Sequence, residues 1–232
     1  NILNNFTWDK VAIKNVQFVQ KLLNFKPSLN TNLAFLTTWN TKCGIASYVS
    51  NLVSNIEHDT YILAPHEKAL VQNDRSNVFR CWDIDKPFNE KLKNTILKLN
   101  LSSIVIQFNY GLFDFSSFND LITFLYSENI NIIVFMHSTS DPIDSENKSL
   151  KKIQHSLALA DRLLVHTCTD LNRLKKFNLI DNVSIFPHGI KDFVKEDVII
   201  QQSSLLRGLP KIKHHKYKFA TTGFCLPNKG FL

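Results

Sequence analysis

Five polar residues between two apolar segments raise the question of chemistry: Asn40-Thr41-Lys42-Cys43-Gly44. Residues 32–39 before them are apolar and β-prone, as a buried strand is. After them Ile45, Tyr48, Val49, Leu52 and Val53 recur at the spacing of one helical face. A strand, a tight turn and a helix start together aim unpaired N–H groups and the positive end of the helix dipole at an anion. Gly44 has no Cβ to hold a phosphate off the backbone, and Lys42 adds a full positive charge. By spacing alone, the same five residues also make an ordinary turn.

Three more strand ends carry candidate groups. Gln107-Phe108-Asn109-Tyr110-Gly111-Leu112-Phe113 follows an apolar run, His137-Ser138-Thr139 follows NIIVFM, and Phe186-Pro187-His188-Gly189-Ile190 closes a third. In a doubly wound sheet, ligands bind beyond the carboxyl ends of the strands. A lone histidine at a strand end also fits a purely structural role. Asp83-Ile84-Asp85 is a D-x-D triplet, but no other ligand-rich segment lies nearby, so it reads as a surface turn. No zinc motif, nucleophile elbow or P-loop occurs, and no metal is expected.

The elements that must position these groups alternate along the chain. Strands are expected at residues 60–64, 78–84, 102–108, 131–136, 162–167 and 183–186, and helices at 45–53, 89–99, 118–127, 148–160 and 170–177. The run SSIVIQF is almost continuously apolar, as central parallel strands are. The alternation predicts an α/β fold with a doubly wound parallel sheet, Rossmann-like. It places Gly44, Tyr110, His137 and His188 on one edge. Residues 6–24 read as an amphipathic helix carrying Trp8, Val11, Val16 and Val19.

The net charge of +7 and the pI near 9.2 suit anionic partners. No RNA- or DNA-binding signature accompanies the charge, so nucleic acid is not expected. Eighteen Phe and the many Asn, Lys and Ile read as a coding bias rather than a structural demand. The four cysteines include no C-x-x-C pair and fit a reducing, cytoplasmic setting. No apolar run is long enough to span a bilayer. The chain lacks an initiator Met and reads as part of a longer protein.

The string TWNTKCGIASY resembles the first loop of the retaining glycosyltransferases of family 4, where a W-x-x-x-C-G-I-A-x-Y type string follows the first strand. Ile106 to Phe113 resembles that family's I-Q-x-x-Y-G-x-F, with Asn109 where the family often has Glu. His137 stands where many members have a His close to the transferred sugar, and FPHGI resembles their I-P-H-G-V. Gly223 to Gly230 resembles the opening of the second domain, with Lys229 as the lysine that pairs with the donor diphosphate and Phe224 in place of an Arg.

The resemblance implies part of a GT-B enzyme moving a sugar from a sugar nucleotide to a saccharide or lipid-linked acceptor, with no metal or other cofactor. Under it, Lys42, Cys43, Gly44 and Lys229 meet the donor diphosphate, and His137 acts at the sugar. Tyr110, Gly111 and Phe113 shape the acceptor side, and His188 and Gly189 set the turn into the cleft. The implied divisions are 1–28, a helix resembling the end of a preceding transferase unit; 29–190, the acceptor-side domain; 191–217, a basic linker; and 218–232, the start of a truncated donor domain. Such a piece is expected to be inactive alone. Lys211, Lys213, Lys216 and Lys218 in the linker either are solvated or touch an anionic membrane surface. Two alternatives stay open: a non-catalytic binding or scaffold module derived from that fold, and a dinucleotide oxidoreductase. The second lacks G-x-G-x-x-G after the first strand.

Overall fold

The chain divides into two compact units, Asn1–His188 and Gly189–Leu232. A computed structural model describes residues 32–143, 145 and 147–189, and the sheet belongs to the first unit. The helix expected at residues 6–24, the basic linker and the segment 218–232 with Lys229 lie outside the described residues.

Strands and helices alternate: β1 (Leu33–Leu36), α1 (Gly44–Val53), β2 (Thr60–Pro65), β3 (Val78–Trp82), α2 (Glu90–Lys98), β4 (Ser103–Phe108), α3 (Phe115–Ser127), β5 (Asn131–Met136), α4 (Leu150–Leu159), β6 (Arg162–Val165), α5 (Cys168–Lys175) and β7 (Val183–Ile185). Among the described residues the seven strands form one sheet in the order β3-β2-β1-β4-β5-β6-β7. Every neighbouring pair is parallel. This is the doubly wound α/β sheet that the alternation predicts.

Parallel strands are buried on both faces, which explains their unbroken apolar runs. On one face Ile104, Ile106, Phe108, Val134 and Met136 meet the buried sides of α2, α3, α4 and α5. On the other face Phe35, Val105 and Phe135 meet Ile45, Val49 and Leu52 of α1. The strand order reverses between β1 and β4, whose connections leave in opposite directions, so a crevice opens there at the carboxyl edge.

Helix starts follow side-chain chemistry. Asn89, Asp114, Ser149 and Thr167 each accept a backbone N–H at the start of α2, α3, α4 and α5. The Asp114 cap starts α3 at Phe115, three residues earlier than the apolar spacing suggests. Helix ends explain part of the asparagine content. Asn100, Asn129 and Asn178 follow α2, α3 and α5 with φ of 46°, 56° and 56°. Asparagine tolerates this left-handed conformation and serves where glycine usually ends a helix. With only six glycines in the chain, these asparagines meet a structural demand, which corrects their reading as coding bias.

The phenylalanines likewise have a use. Phe108, Phe113, Phe115 and Phe118 form one packed group with Trp82 and Phe88 under the carboxyl edge. The group is a rigid floor for the loops above it.

Candidate functional site

The loop after β1 begins with two buried threonines. The Thr37 N–H donates to Leu63 O (3.1 Å) and its Oγ1 donates to Thr38 O (3.0 Å). Thr38 Oγ1 lies 3.5 Å from Cys43 Sγ. Asn40 turns the chain with φ 54°. Cys43 is the N-cap of α1, but its side chain makes no capping bond, unlike the caps of the other four described helices. The first N–H groups of α1 therefore keep their donor capacity. Gly44 is exposed, its φ is not left-handed, and a Cβ added there would meet nothing within 4 Å. Its value is open space, not backbone freedom. Lys42 is exposed and makes no ion pair among the described residues.

Side chains alternate along a strand. Thr37, Gln107, His137 and His166 therefore continue the face of Phe35, Val105, Phe135 and Leu164, the face that α1 covers. Tyr48 of α1 stands over this group. Its ring centroid is 5.2 Å from that of His137, 5.8 Å from His166 and 5.3 Å from His188, edge-on in each case. His166 and His188 stack at 3.7 Å. One aromatic and three imidazoles thus meet at one edge.

Hydrogen bonds fix the tautomers. A carbonyl oxygen can only accept, so His137 Nε2–H donates to Gln107 Oε1 (2.7 Å) and His166 Nδ1–H donates to Phe186 O (2.9 Å). Gln107 Nε2, His166 Nε2 and Tyr48 Oη are buried atoms without a hydrogen-bond partner. Gln107 itself is wholly buried at the crevice beside β1. Buried polar groups are seldom left unpaired, so three together mark a place built for something polar.

Burial, reinforced by His166 and His188, pulls the His137 pKa down to about 4. His137 is therefore neutral at neutral pH and a poor proton acceptor; it can orient and hydrogen-bond. Burial, then His166, lowers His188 as well. Burial raises the Tyr48 hydroxyl, which stays protonated and able to donate.

The loop after β5 is anchored twice. Thr139 is buried; its Oγ1 donates to Asp170 Oδ1 (2.6 Å) and accepts from Arg173 Nη1 (2.5 Å). Burial works against the Asp170 charge, but the Thr139 and Thr167 bonds and the Arg173 charge hold its pKa low. Asp141 accepts from Tyr110 Oη (2.8 Å), Ser149 Oγ (2.7 Å) and Leu150 N (2.9 Å).

The edge thus brings together Gly44, His137 and His188 from the residues singled out by sequence. Tyr110 and Phe113 belong to the opposite face. Tyr110 is buried with its hydroxyl committed to Asp141. Phe113 is 1% exposed and stacks on Trp82 with centroids 5.4 Å apart, so its contribution is packing, not a ligand surface. Gly111 is exposed and donates to Asn109 Oδ1 (3.1 Å), which gives Asn109 a turn-building role. Gly189 is exposed.

Sequence reasoning gave Tyr48 only a place on a helix face and Gln107 only a place in a candidate string, and it missed His166. Gln107 is the one long polar side chain in an apolar run, and His166 ends its strand with the same parity as His137; both signals were there to read. Asp83 and Asp85 are occupied by His66 and Lys148. Among the described residues no group of three or more His, Cys, Asp or Glu is arranged to hold a metal ion.

No protein-family model matches the chain, and no curated protein does. Among solved structures, the spore cortex-lytic enzyme SleL of Bacillus megaterium QM B1551 matches with a TM-score of 0.33 and 14% identity, over 69% of this chain and 52% of that one. The chain thus spans about half the length of that enzyme. These findings correct the family reading. No glycosyltransferase family model is matched, and no curated glycosyltransferase is. Membership of family 4, the sugar-transfer reaction, and the alternative of a non-catalytic binding or scaffold module derived from that fold do not stand. The matching strings are short, and those among the described residues lie at strand ends. Among the described residues no helix is long and apolar enough to cross a membrane.

Proposed function

We propose that the carboxyl edge between β1 and β4 binds a phosphorylated small molecule of the nucleoside-diphosphate class, sugar nucleotides among them. The observation that carries this reading is the pairing of an uncapped α1 N-terminus with the wholly buried amide of Gln107 in the adjacent strand, whose Nε2 has no partner. Helix starts of this kind suit phosphate, and the strand-order reversal is where doubly wound sheets take ligands. A groove of about 350 Å³ beside α1, with Trp39, Asn40, Ser47 and Gln72 in its walls, offers room for a ring next to the anion. The net charge of +7 favours approach of such a ligand. The free thiols of Cys43, Cys81 and Cys168 go with a reducing compartment, the cytoplasm.

Titration calorimetry of the full chain with UDP, GDP, their hexose derivatives and inorganic pyrophosphate tests the reading. Saturable binding that weakens with salt and is displaced by pyrophosphate is expected. Absence of binding across the panel at millimolar ligand would refute it.

Gly44→Ala separates binding from folding. The added methyl meets no protein atom, and the smaller unfolded-state entropy is expected to stabilise the fold by about 0.4–1 kcal/mol. The same methyl stands where the ligand approaches α1, so affinity is expected to fall about tenfold, one step of 1.4 kcal/mol. A variant that is more stable and binds as well as the original would place the ligand elsewhere.

A further inference from the structure

We infer that Arg80, Asp74 and Asn40 form a positioning clamp that holds the loop after β1 in its ligand-binding shape. The inference rests on the binding reading above and assigns the residues that hold the loop of that site in shape, of which Asn40 also stands in the groove wall.

Arg80 sits on the edge strand β3, yet its side chain is only 15% exposed. It makes four hydrogen bonds, and none goes to the interior of the sheet. Nε donates to Asp74 Oδ2 (2.7 Å) and Nη2 to Asp74 Oδ1 (3.2 Å), a two-point pairing with the carboxylate. Nη1 donates to Pro65 O (2.6 Å) at the end of β2, and Nη2 to Trp39 O (3.2 Å) in the loop after β1. One guanidinium on β3 therefore joins the loop after β1, the end of β2 and the connection between β2 and β3. The Arg80 bonds, with that from Asn40, outweigh burial and hold the Asp74 carboxyl below its usual range, so the carboxylate stays charged.

Asn40 completes the clamp. Its Nδ2 donates to Asp74 Oδ1 (2.9 Å) and Gln72 O (2.6 Å), and its Oδ1 accepts from Gln72 N (3.1 Å). Its own carbonyl accepts from Val71 N (3.0 Å). Every polar group of the side chain is engaged while the backbone stands at φ 54°. The residue that turns the chain toward Lys42, Cys43 and Gly44 is thus held by side chain and backbone together. A loop held this way before ligand arrives loses little entropy on binding.

A core role alone does not explain this arrangement. An apolar side chain would bury an edge strand as well, whereas only a planar, multiply donating group can join one carboxylate and two carbonyls at fixed angles.

The test compares Arg80→Lys, Asn40→Gly and the double variant with the unaltered full chain. Lysine keeps the charge but loses the planar fork; glycine accepts the left-handed turn but has no amide side chain. The readouts are UDP and pyrophosphate affinity, melting temperature, and amide hydrogen exchange along the loop and along β4 and β5. Each single variant is expected to bind about tenfold more weakly, the factor that follows when the competent loop falls to about a tenth of the population. Exchange is expected to rise at residues 40–46 and to stay unchanged in β4 and β5. The double variant is expected to be little worse than the weaker single one, because both cut the same linkage. Unchanged affinity in the single variants, unchanged exchange at residues 40–46, or losses that simply add would overturn the clamp while leaving the binding reading intact. Failure of the unaltered chain to bind either probe would overturn the binding reading and the clamp with it.

Discussion

Replacing Phe108 with alanine is expected to remove about 3–5 kcal/mol of folding stability in urea or guanidinium unfolding of the full chain. The ring is fully buried at the end of the central strand β4. It meets four other aromatic rings: Tyr110 at 5.5 Å, Phe113 at 6.2 Å, Phe115 at 5.8 Å and Phe118 at 5.4 Å between centroids. Deleting it forfeits both the transfer free energy of the ring and the contacts of four rigid neighbours. Those neighbours cannot collapse into the gap, since each is itself buried and packed on others. The loss reaches the candidate site, because the Phe108 carbonyl accepts from His137 N (3.0 Å) and Gln107 precedes it in the strand. Phe108→Leu keeps much of the volume and is expected to cost less than about 1.5 kcal/mol. A loss below about 1 kcal/mol for the alanine variant would mean that the aromatic floor closes up, and that the edge above it is not rigidly supported.

This floor was only half legible in the sequence. The runs around Phe35, Val105 and Val134 disclosed buried parallel strands because a strand covered on both faces cannot alternate with polar residues. The helix faces of Ile45, Val49 and Leu52 were equally plain. Loops hid more. Phe113 and Tyr110 lie beyond a strand end, where periodicity stops, so nothing in the string told a core ring from a ligand wall. The starts of α3 and α4 were set by Asp114 and Ser149, single capping residues that a hydrophobic stripe does not register.

The candidate site was legible as positions rather than as partners. A histidine at the end of β5 was visible, but Tyr48 and His166 join it only through the register of β5 with β6 and the crossing of α1. The clamp of Arg80, Asp74 and Asn40 spans residues 34 to 41 positions apart for the Asn40–Asp74 and Arg80–Trp39 contacts, a distance no local pattern encodes. Short strings at strand ends led to a family that the comparisons do not support, for a related reason. Small residues and turn formers recur at these ends through the geometry of the fold, and ordered short matches can follow from the shared sheet rather than shared chemistry.

Lowering the pH from 7 to 4 is expected to cost the fold about 3 kcal/mol through His137 alone, since each unit of pKa shift corresponds to about 1.4 kcal/mol. The folded-state pKa lies at about 4, against about 6.5 for an exposed histidine in the unfolded chain. Above the unfolded value both states are neutral, and the histidine exerts no pH effect. Between the two values the unfolded chain takes up a proton that the folded protein refuses, so stability falls steadily as the pH drops. Below about 4 both states are charged and the loss levels off. Burial is the main cause, with His166 and His188 adding to it, so the effect belongs to the imidazole group under Tyr48 as a whole. His188 is lowered too and contributes in the same sense and in the same range, its folded pKa lying below its unfolded one. Asp74, Asp114, Asp141 and Asp170 also have lowered pKa values; their stabilisation is present above the unfolded carboxylate value, near 3.8–3.9, and is lost as the pH falls below it. The span between about 6 and 5, above the range in which unfolded carboxylates take up protons, therefore isolates the histidines. Urea unfolding across that span is expected to show a slope that is reduced in His137→Gln. The variant lacks the titrating ring, and its amide can still hydrogen-bond toward Gln107. A variant slope equal to that of the unaltered chain would show that His137 is as open to protonation when folded as when unfolded, and that burial beneath Tyr48 does not keep it neutral.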